Sequence, residues 1–224
     1  MNILLLSGSP QIPSSSSRLL LHVGEQMALH GHRTSKLHVR DLPAKALLHA
    51  DFADVTIARA IAAVAAADAV VIATPVYKAS YTGILKAFLD LLPQDGLAGK
   101  LVLPLATGGS QSHMLALDYA LRPVLHALAA KHVLTSIYAT SEQLEWSEQG
   151  GLALAPAIAA RVGAGVEELT AGLRTLRLAR ATAPQPDIDT SARPGRSLKD
   201  LPYSQVPPTQ LEPETASRGE PLGV

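Results

Sequence analysis

Short apolar runs alternate along the chain with longer segments in which apolar residues recur at helical spacing. The first run, Asn2–Ser7, ends at a Gly-Ser-Pro turn and predicts a buried strand. Residues 69–74 (AVVIAT) form a continuous apolar run rich in β-branched residues, typical of a central strand covered on both faces. Further strands are predicted at 36–40, 99–107 and 133–138, although Pro104 is unusual within a strand.

Helical spacing predicts the segments between these strands. The predicted helices cover residues 18–30, 56–67, 83–92, 114–130 and 156–183, whereas residues 43–55 are expected to form a loop. Strands and helices therefore alternate five times, which is the pattern of a doubly wound sheet. We expect an α/β, flavodoxin-like fold: a five-stranded parallel sheet with helices on both faces.

Composition changes at Pro184. The last 41 residues hold eight of the 16 prolines and only a scatter of large apolar side chains. Such a segment lacks the apolar surface needed to offset the entropy of folding. We therefore expect a flavodoxin-like domain over residues 1–183 and a proline-rich, disordered tail over residues 184–224.

Charge and residue counts exclude several classes of function. Lys+Arg and Asp+Glu are both 19, so the basic excess needed for a nucleic-acid surface is missing. The absence of cysteine excludes disulfides, thiolate metal sites and a cysteine nucleophile, and fits a cytoplasmic protein. No apolar run is long enough to span a membrane. The eight histidines form no metal-binding motif, so we expect no metal.

Three loops leave the carboxyl ends of predicted strands, where open parallel sheets bind ligands. The loop at residues 8–17 joins a strand to a helix and places hydroxyls and backbone N–H groups at a helix N-terminus, where an anion binds. It lacks the glycines of a dinucleotide fingerprint and the lysine of a P-loop, which favours a terminal phosphomonoester such as that of FMN. The alternative is a serine N-cap in an ordinary polar turn.

The other two loops have the groups that a planar heterocycle requires. In the loop at residues 75–83, Val76, Tyr77 and Lys78 offer an apolar wall, backbone amides and a cation. In the loop at 107–110, paired glycines let a ligand approach the backbone closely. Taken singly, the loop at residues 75–83 is also consistent with an ordinary loop that has a packed tyrosine, and the loop at 107–110 with a flexible strand-to-helix turn.

Together the segments GSPQIPSSSS (8–17), ATPVYKASYTGILKAFLDLLP (73–93), LPLATGGS (103–110) and ALDYALRPVL (116–125) resemble a known family. They are similar to the NAD(P)H-dependent FMN reductases of the flavodoxin-like fold, in particular the reductase of the two-component alkanesulfonate monooxygenase system. The resemblance covers residues 1 to about 180. It implies that FMN and NADPH or NADH bind, and that hydride passes from the nicotinamide to FMN.

The same resemblance implies partners and an assembly. Reduced flavin would pass to a flavin-dependent monooxygenase, in sulfonate sulfur assimilation, and the chain would form a homo-oligomer, commonly a tetramer. The alternative is an FMN-containing quinone, chromate or azo reductase that keeps its flavin bound. A flavodoxin-like electron carrier belongs to a third class, but such carriers are usually strongly acidic, whereas this chain has no net charge.

The resemblance also assigns candidate FMN-binding residues, at the positions of this sequence that match the family's motifs. The resemblance implies that the first loop holds the FMN phosphate, that the second lines the isoalloxazine and that the third closes over its other edge. The residues concerned are Ser9, Gln11, Ser14, Ser16 and Ser17; Pro75, Val76, Tyr77 and Lys78; and Thr107, Gly108 and Gly109. The family usually has arginine where this chain has Gln11, and often where it has Ser15. Arg18, one helical turn away, is a candidate for the missing charge.

Tyr119 is the last residue singled out. It matches a tyrosine that the sulfonate-type reductases insert into a helix, which implies a π-bulge and a role in flavin exchange. The alternative is a tyrosine that packs at a helix contact, with Pro123 alone distorting the helix. No side chain is expected to act as a catalytic acid or base, because the flavin and the nicotinamide carry the redox chemistry.

Overall fold

The computed structural model of the protein describes residues 1–146 and 151–182. Its parallel sheet has the order β2-β1-β3-β4-β5, and β6 pairs with β4 beyond the end of β5. The strands are β1 (Asn2–Ser7), β2 (Arg33–His38), β3 (Ala69–Pro75), β4 (Leu101–Gly108), β5 (His132–Val133) and β6 (Ile137–Thr140). This is the flavodoxin-like order, so the predicted fold is confirmed.

Helices cover both faces of the sheet because successive side chains of each strand point in opposite directions. Leu4 and Leu6 of β1 pack in one core with four helices, whereas Ile3 and Leu5 pack in the other with two. The helices of the first core are α3 (Val55–Ala65), α4 (Gly83–Leu89) and α5 (Arg122–Ala127), together with the short α2 (Ala44–Leu48). Those of the second are α1 (Ser15–Leu29) and α6 (Pro156–Thr182).

Two predictions near the second strand were wrong. β2 covers Arg33–His38 rather than 36–40, because it pairs in register with all of β1, from Asn2↔Arg33 to Ser7↔His38. Residues 39–41 then turn away from the sheet as a 3₁₀ helix. The segment predicted as loop at 43–55 contains α2, which buries Ala46 and Leu47 in the core.

The region after β4 differs most from its prediction. The single helix expected at 114–130 is a 3₁₀ turn (Gln111–His113), a π-helix (Leu117–Leu121) and then α5. The single strand expected at 133–138 is interrupted between β5 and β6, both of which pair with β4. An antiparallel pair that the sequence did not indicate follows, formed by β7 (Leu144–Trp146) and β8 (Leu152–Leu154).

The tail predicted at residues 184–224 lies outside the described residues. Within the described ranges, no helix has the length and apolar character needed to cross a membrane.

Candidate functional site

An open cleft of about 250 Å³ lies at the carboxyl edge of the sheet, where β1, β3 and β4 end. All three predicted loops contribute to it. Its lining residues are Ser9, Gln11, Pro13, Ser14, Ser15, Pro75, Val76, Tyr77, Thr107, Gly108, Gly109 and Ser141. None of these side chains carries a charge.

The first loop places hydroxyls at the N-terminus of α1. Ser14 is the N-cap of the helix, and its Oγ accepts a hydrogen bond from the Ser17 backbone N–H at 3.3 Å. Ser14 and Ser16 are also joined through their Oγ atoms at 3.0 Å. The first turn of α1 contains no acidic residue. The positive end of the helix dipole therefore faces the cleft without a competing carboxylate on that turn.

Gly8 and Thr82 join the first loop to the second. The Gly8 N–H donates to the Ala73 carbonyl at 2.7 Å, and the Thr82 hydroxyl, at the N-cap of α4, donates to the Gly8 carbonyl. A Cβ at Gly8 would lie 2.7 Å from Cβ of Leu85 in α4, so only glycine fits where the first loop approaches this helix.

The second loop contains a tight turn at residues 77–80. Tyr77 and Ser80 exchange two backbone hydrogen bonds, of 2.9 and 3.1 Å. The two central residues, Lys78 and Ala79, have φ values of 51° and 62°. This left-handed backbone, at two residues other than glycine, stores strain of about 1–3 kcal/mol per residue, and such strain clusters at ligand sites. The turn directs Tyr77 toward the first loop, where its Oη lies 3.5 Å from Gln11 Oε1.

The backbone of the third loop is hydrogen-bonded to a buried tyrosine. Tyr138 of β6 is almost fully buried, and its hydroxyl donates to the Ser110 carbonyl at 2.6 Å. Burial raises the pKa of this phenol above its ordinary value, so the hydroxyl stays protonated as a donor. A Cβ at Gly108 would lie 2.3 Å from that hydroxyl oxygen, whereas a Cβ at Gly109 would meet nothing within 4 Å.

The structure brings most of the predicted cofactor residues together. Those that line the cleft are Ser9, Gln11, Ser14, Pro75, Val76, Tyr77, Thr107, Gly108 and Gly109. Three predicted residues are absent from the lining. Ser16 and Ser17 are buried, the latter with its Oγ 2.8 Å from Ser7 Oγ, and the Lys78 side chain is exposed to solvent. Pro13, Ser15 and Ser141 line the cleft although they were not predicted to.

Sequence reasoning missed one cation beside the first loop. Arg40, in the 3₁₀ turn after β2, donates from Nη1 to the Gln11 carbonyl at 2.8 Å. Nothing local to residues 36–42 marks this role. The only available signal was the position of Arg40 after the second strand, because β2 is adjacent to β1 in a flavodoxin-like sheet.

Tyr119 lies in the π-helix, away from the lining of the cleft. The Arg122 N–H bonds to the Leu117 carbonyl five residues earlier, which is the π-helical pattern. The Tyr119 side chain is 78% exposed. Within this chain it therefore does not pack at a helix contact.

Among the described residues, no group of three or more histidine, aspartate or glutamate side chains is arranged to hold a metal ion.

Comparison with known proteins gives a consistent result. The family model described as NADPH-dependent FMN reductase matches residues 1–145. The chain is 42% identical over 186 residues to an FMN reductase (NADPH) of Pseudomonas putida, covering 83% of this chain and 91% of the relative. It is 44% identical over 146 residues to an FMN reductase (NADPH) of Escherichia coli, covering 64% and 75% of the two chains.

A solved structure agrees with these relatives. The apo form of an NADH:FMN oxidoreductase superimposes with a TM-score of 0.70 at 40% sequence identity, covering 76% of this chain and 89% of that one.

Proposed function

Because the chain belongs to the family of NADPH-dependent FMN reductases, we propose that it supplies reduced flavin to a flavin-dependent monooxygenase. The chain is an NAD(P)H:FMN oxidoreductase, with FMN and NAD(P)H as its cofactor and substrate pair. A partner that uses the reduced flavin in sulfonate sulfur assimilation is proposed from the ALDYALRPVL segment, which resembles the sulfonate-type reductases. We propose that the reaction takes place in the cytoplasm, where NAD(P)H is available.

The main support for release of the flavin is that no side chain lining the cleft is charged. Hydroxyls of the first loop fit a phosphate: Ser14 and Ser15 lie at the N-terminus of α1, and Ser9 lines the same cleft. At the ends of β3 and β4 the cleft is lined by the apolar Val76 and by Gly108, which has no side chain, and such a lining fits a planar ring. A lining without lysine or arginine offers a phosphate fewer charge-assisted hydrogen bonds, which favours a flavin that exchanges.

The protein contributes position rather than acid–base chemistry. FMN held in this cleft would supply the hydride acceptor, and hydride transfer from a nicotinamide would need no proton donor from the protein. Val76 is buried and provides an apolar wall, while the strained turn at residues 77–80 holds Tyr77 at the mouth of the cleft. Rigid placement of the two reactants lowers the entropic part of the barrier. Lys78 or nearby backbone N–H groups are candidates to stabilise negative charge at the flavin edge.

We also propose that the chain forms a homo-oligomer, a tetramer, in which Tyr119 lies at a subunit interface near a flavin. Support comes from Met114, Leu115 and Tyr119, all exposed on one short segment after the third loop. Large apolar side chains exposed together on a protein surface are typical of an interaction site.

One assay of the purified protein tests the function. We expect nearly colourless protein that oxidises NADPH only when free FMN is added, and that passes the electrons on to an added flavin-dependent monooxygenase. Protein that is purified yellow and turns over a quinone without free FMN would support the alternative, a reductase that retains its flavin. Absence of NAD(P)H oxidation with either acceptor would contradict both.

A further inference from the structure

Arg40 is hydrogen-bonded to the backbone of the first loop. Its Nη1 donates to the Gln11 carbonyl at 2.8 Å, which joins residues 29 positions apart in the sequence. The side chain is only 17% exposed, so its position is set by the surrounding protein rather than by solvent. A guanidinium in this position fixes the backbone of the loop two residues after Ser9, which lines the cleft.

The charge of Arg40 is incompletely balanced. Its Nε is buried and makes no hydrogen bond. Arg40 forms an ion pair with Asp41, whose Oδ1 lies 3.6 Å from Nε and whose side chain is 64% exposed. An exposed carboxylate is well solvated and offsets a neighbouring charge only weakly. A net positive potential therefore remains beside the loop.

That potential acts on a neutral site. The loop at residues 8–17 contains no charged side chain, and no residue lining the cleft is charged. Partly buried charges are screened less than exposed ones, so a guanidinium bonded to the loop acts on an anion held by that loop.

We propose that Arg40 is a positioning residue that makes the cleft discriminate between phosphorylated and unphosphorylated flavin. Its hydrogen bond keeps the Gln11 carbonyl turned toward the guanidinium, and its charge attracts the phosphate of FMN held by the loop. Asp41 attenuates this attraction. The inference rests on the proposed use of FMN and adds a determinant of the choice between FMN and riboflavin.

The experiment measures dissociation constants for FMN and riboflavin, by flavin fluorescence, in the wild type and four variants. Arg40→Met removes the charge and keeps most of the apolar stem, Arg40→Lys keeps the charge, and Asp41→Asn removes the opposing carboxylate. Arg174→Met is the matched control. It changes net charge as Arg40→Met does, but it lies beside Met1, His30 and Gly31, at the opposite edge of the sheet.

We expect Arg40→Met to weaken FMN binding about tenfold, as for the loss of a charge-assisted interaction, and to leave riboflavin binding unchanged. Asp41→Asn should strengthen FMN binding about threefold, in the opposite direction. Arg40→Lys should keep most of the preference for FMN, and Arg174→Met all of it. Added salt should weaken FMN binding less in Arg40→Met than in the wild type.

Equal weakening of both flavins by Arg40→Met would overturn the inference, because it would reduce Arg40 to a structural support of the loop. Unchanged FMN binding in Arg40→Met would overturn it as well. Failure of the proposed function is a separate result: wild-type protein that binds FMN in preference to riboflavin but oxidises no NAD(P)H leaves this comparison intact.

Discussion

Two neighbouring glycines at the end of β4 differ in what surrounds them. Gly108 lies directly over the Tyr138 hydroxyl, whereas Gly109 faces open space. The hydroxyl in turn bonds to the Ser110 carbonyl and so determines the path of the third loop. The requirement for glycine at position 108 is thus steric and comes from a strand 30 residues later in the sequence.

We expect Gly108→Ala to lower the free energy of unfolding by about 2 kcal/mol, the usual cost of forcing an extra methyl group into a packed region. It should also weaken FMN binding, because the third loop must shift. Gly109→Ala is the control and should change stability little. Urea denaturation and FMN titration measure both effects.

A second substitution tests the cause. In a Tyr138→Phe background the closest atom to the new Cβ is removed, so Gly108→Ala should cost about 1 kcal/mol less there. An equal cost in both backgrounds would mean that the hydroxyl is not the obstacle.

At the scale of elements, hydrogen bonds join the end of the π-helix to the segment between β5 and β6. Arg122, the first residue of α5, donates to the carbonyls of Val133 and Leu134 and to the Ser136 hydroxyl, at 3.2–3.3 Å. These groups lie where the pairing with β4 is broken between β5 and β6. The side chain replaces the hydrogen bonds that a continuous strand would have made there.

Arg122→Leu should therefore destabilise the fold by about 2 kcal/mol, because partly buried carbonyls lose a charged donor. Arg122 also pairs with Asp118 at 3.2 Å, and that carboxylate is exposed. Asp118→Asn, the matched control, should cost less than about 0.5 kcal/mol. Chemical denaturation of both variants separates the two roles, and equal losses would show that the ion pair, not the strand contact, matters.

The exposed tyrosine of the π-helix gives a prediction about function. Because Tyr119 makes few contacts within the chain, Tyr119→Ala should leave the free energy of unfolding unchanged. If the ring covers a flavin at a subunit interface, as we propose, the variant should retain FMN on purification and lose turnover with free FMN. Electron transfer to ferricyanide should persist.

The measurements are bound FMN per subunit and steady-state NADPH oxidation, with Leu115→Ala as a control on the same exposed segment. Wild-type turnover and flavin content in Tyr119→Ala would make this tyrosine an ordinary surface residue.

At the scale of the whole molecule, two histidines link stability to pH. Burial lowers the pKa of His32 below its ordinary value of 6.5, helped by the terminal amine and His30. Burial also lowers the pKa of His38, where Arg40 and Lys36 act in the same direction and Asp41 opposes them. Both side chains have a buried ring nitrogen without a hydrogen-bond partner.

Since both pKa values are lower in the folded protein, the unfolded chain binds more protons as the pH falls below 6.5. Stability that is fully present above this pH should decline as the pH drops through the folded pKa values. Urea denaturation between pH 8 and about 5 should show a shallower decline in His32→Gln/His38→Gln than in the wild type. Parallel pH profiles would contradict the assignment.

The other prediction at this scale concerns the proposed domain boundary. The residues that line the cleft lie between positions 9 and 141, and the family match ends at residue 145. We propose that residues 1–183 are sufficient for catalysis, so truncation after Ala183 should leave kcat and the KM for FMN unchanged. A folded but inactive truncated protein would assign residues 184–224 a part in the site or the assembly.

The sequence by itself determined that strands alternate with helices in a parallel sheet, and with it the edge of the sheet where the cleft lies. Runs such as 69–74 indicate a strand locally, because a strand buried on both faces must be apolar at every position. The loops that follow β1, β3 and β4 must then meet, since parallel strands end at one edge. Most of the cleft residues lie in these three loops, and the resemblance to the FMN reductases indicated the individual positions.

Only the tertiary structure decided which residues distant in the sequence contact the site loops and the strands of the sheet. Arg40 is hydrogen-bonded to Gln11, 29 residues away in the sequence, and the Tyr138 hydroxyl leaves no space for a side chain at position 108. Arg122 bonds to the backbone between β5 and β6. None of these contacts leaves a periodic or local signature. Each exists because neighbouring strands bring distant residues within hydrogen-bond range, so that pairing and packing, rather than local preference, determine the partner.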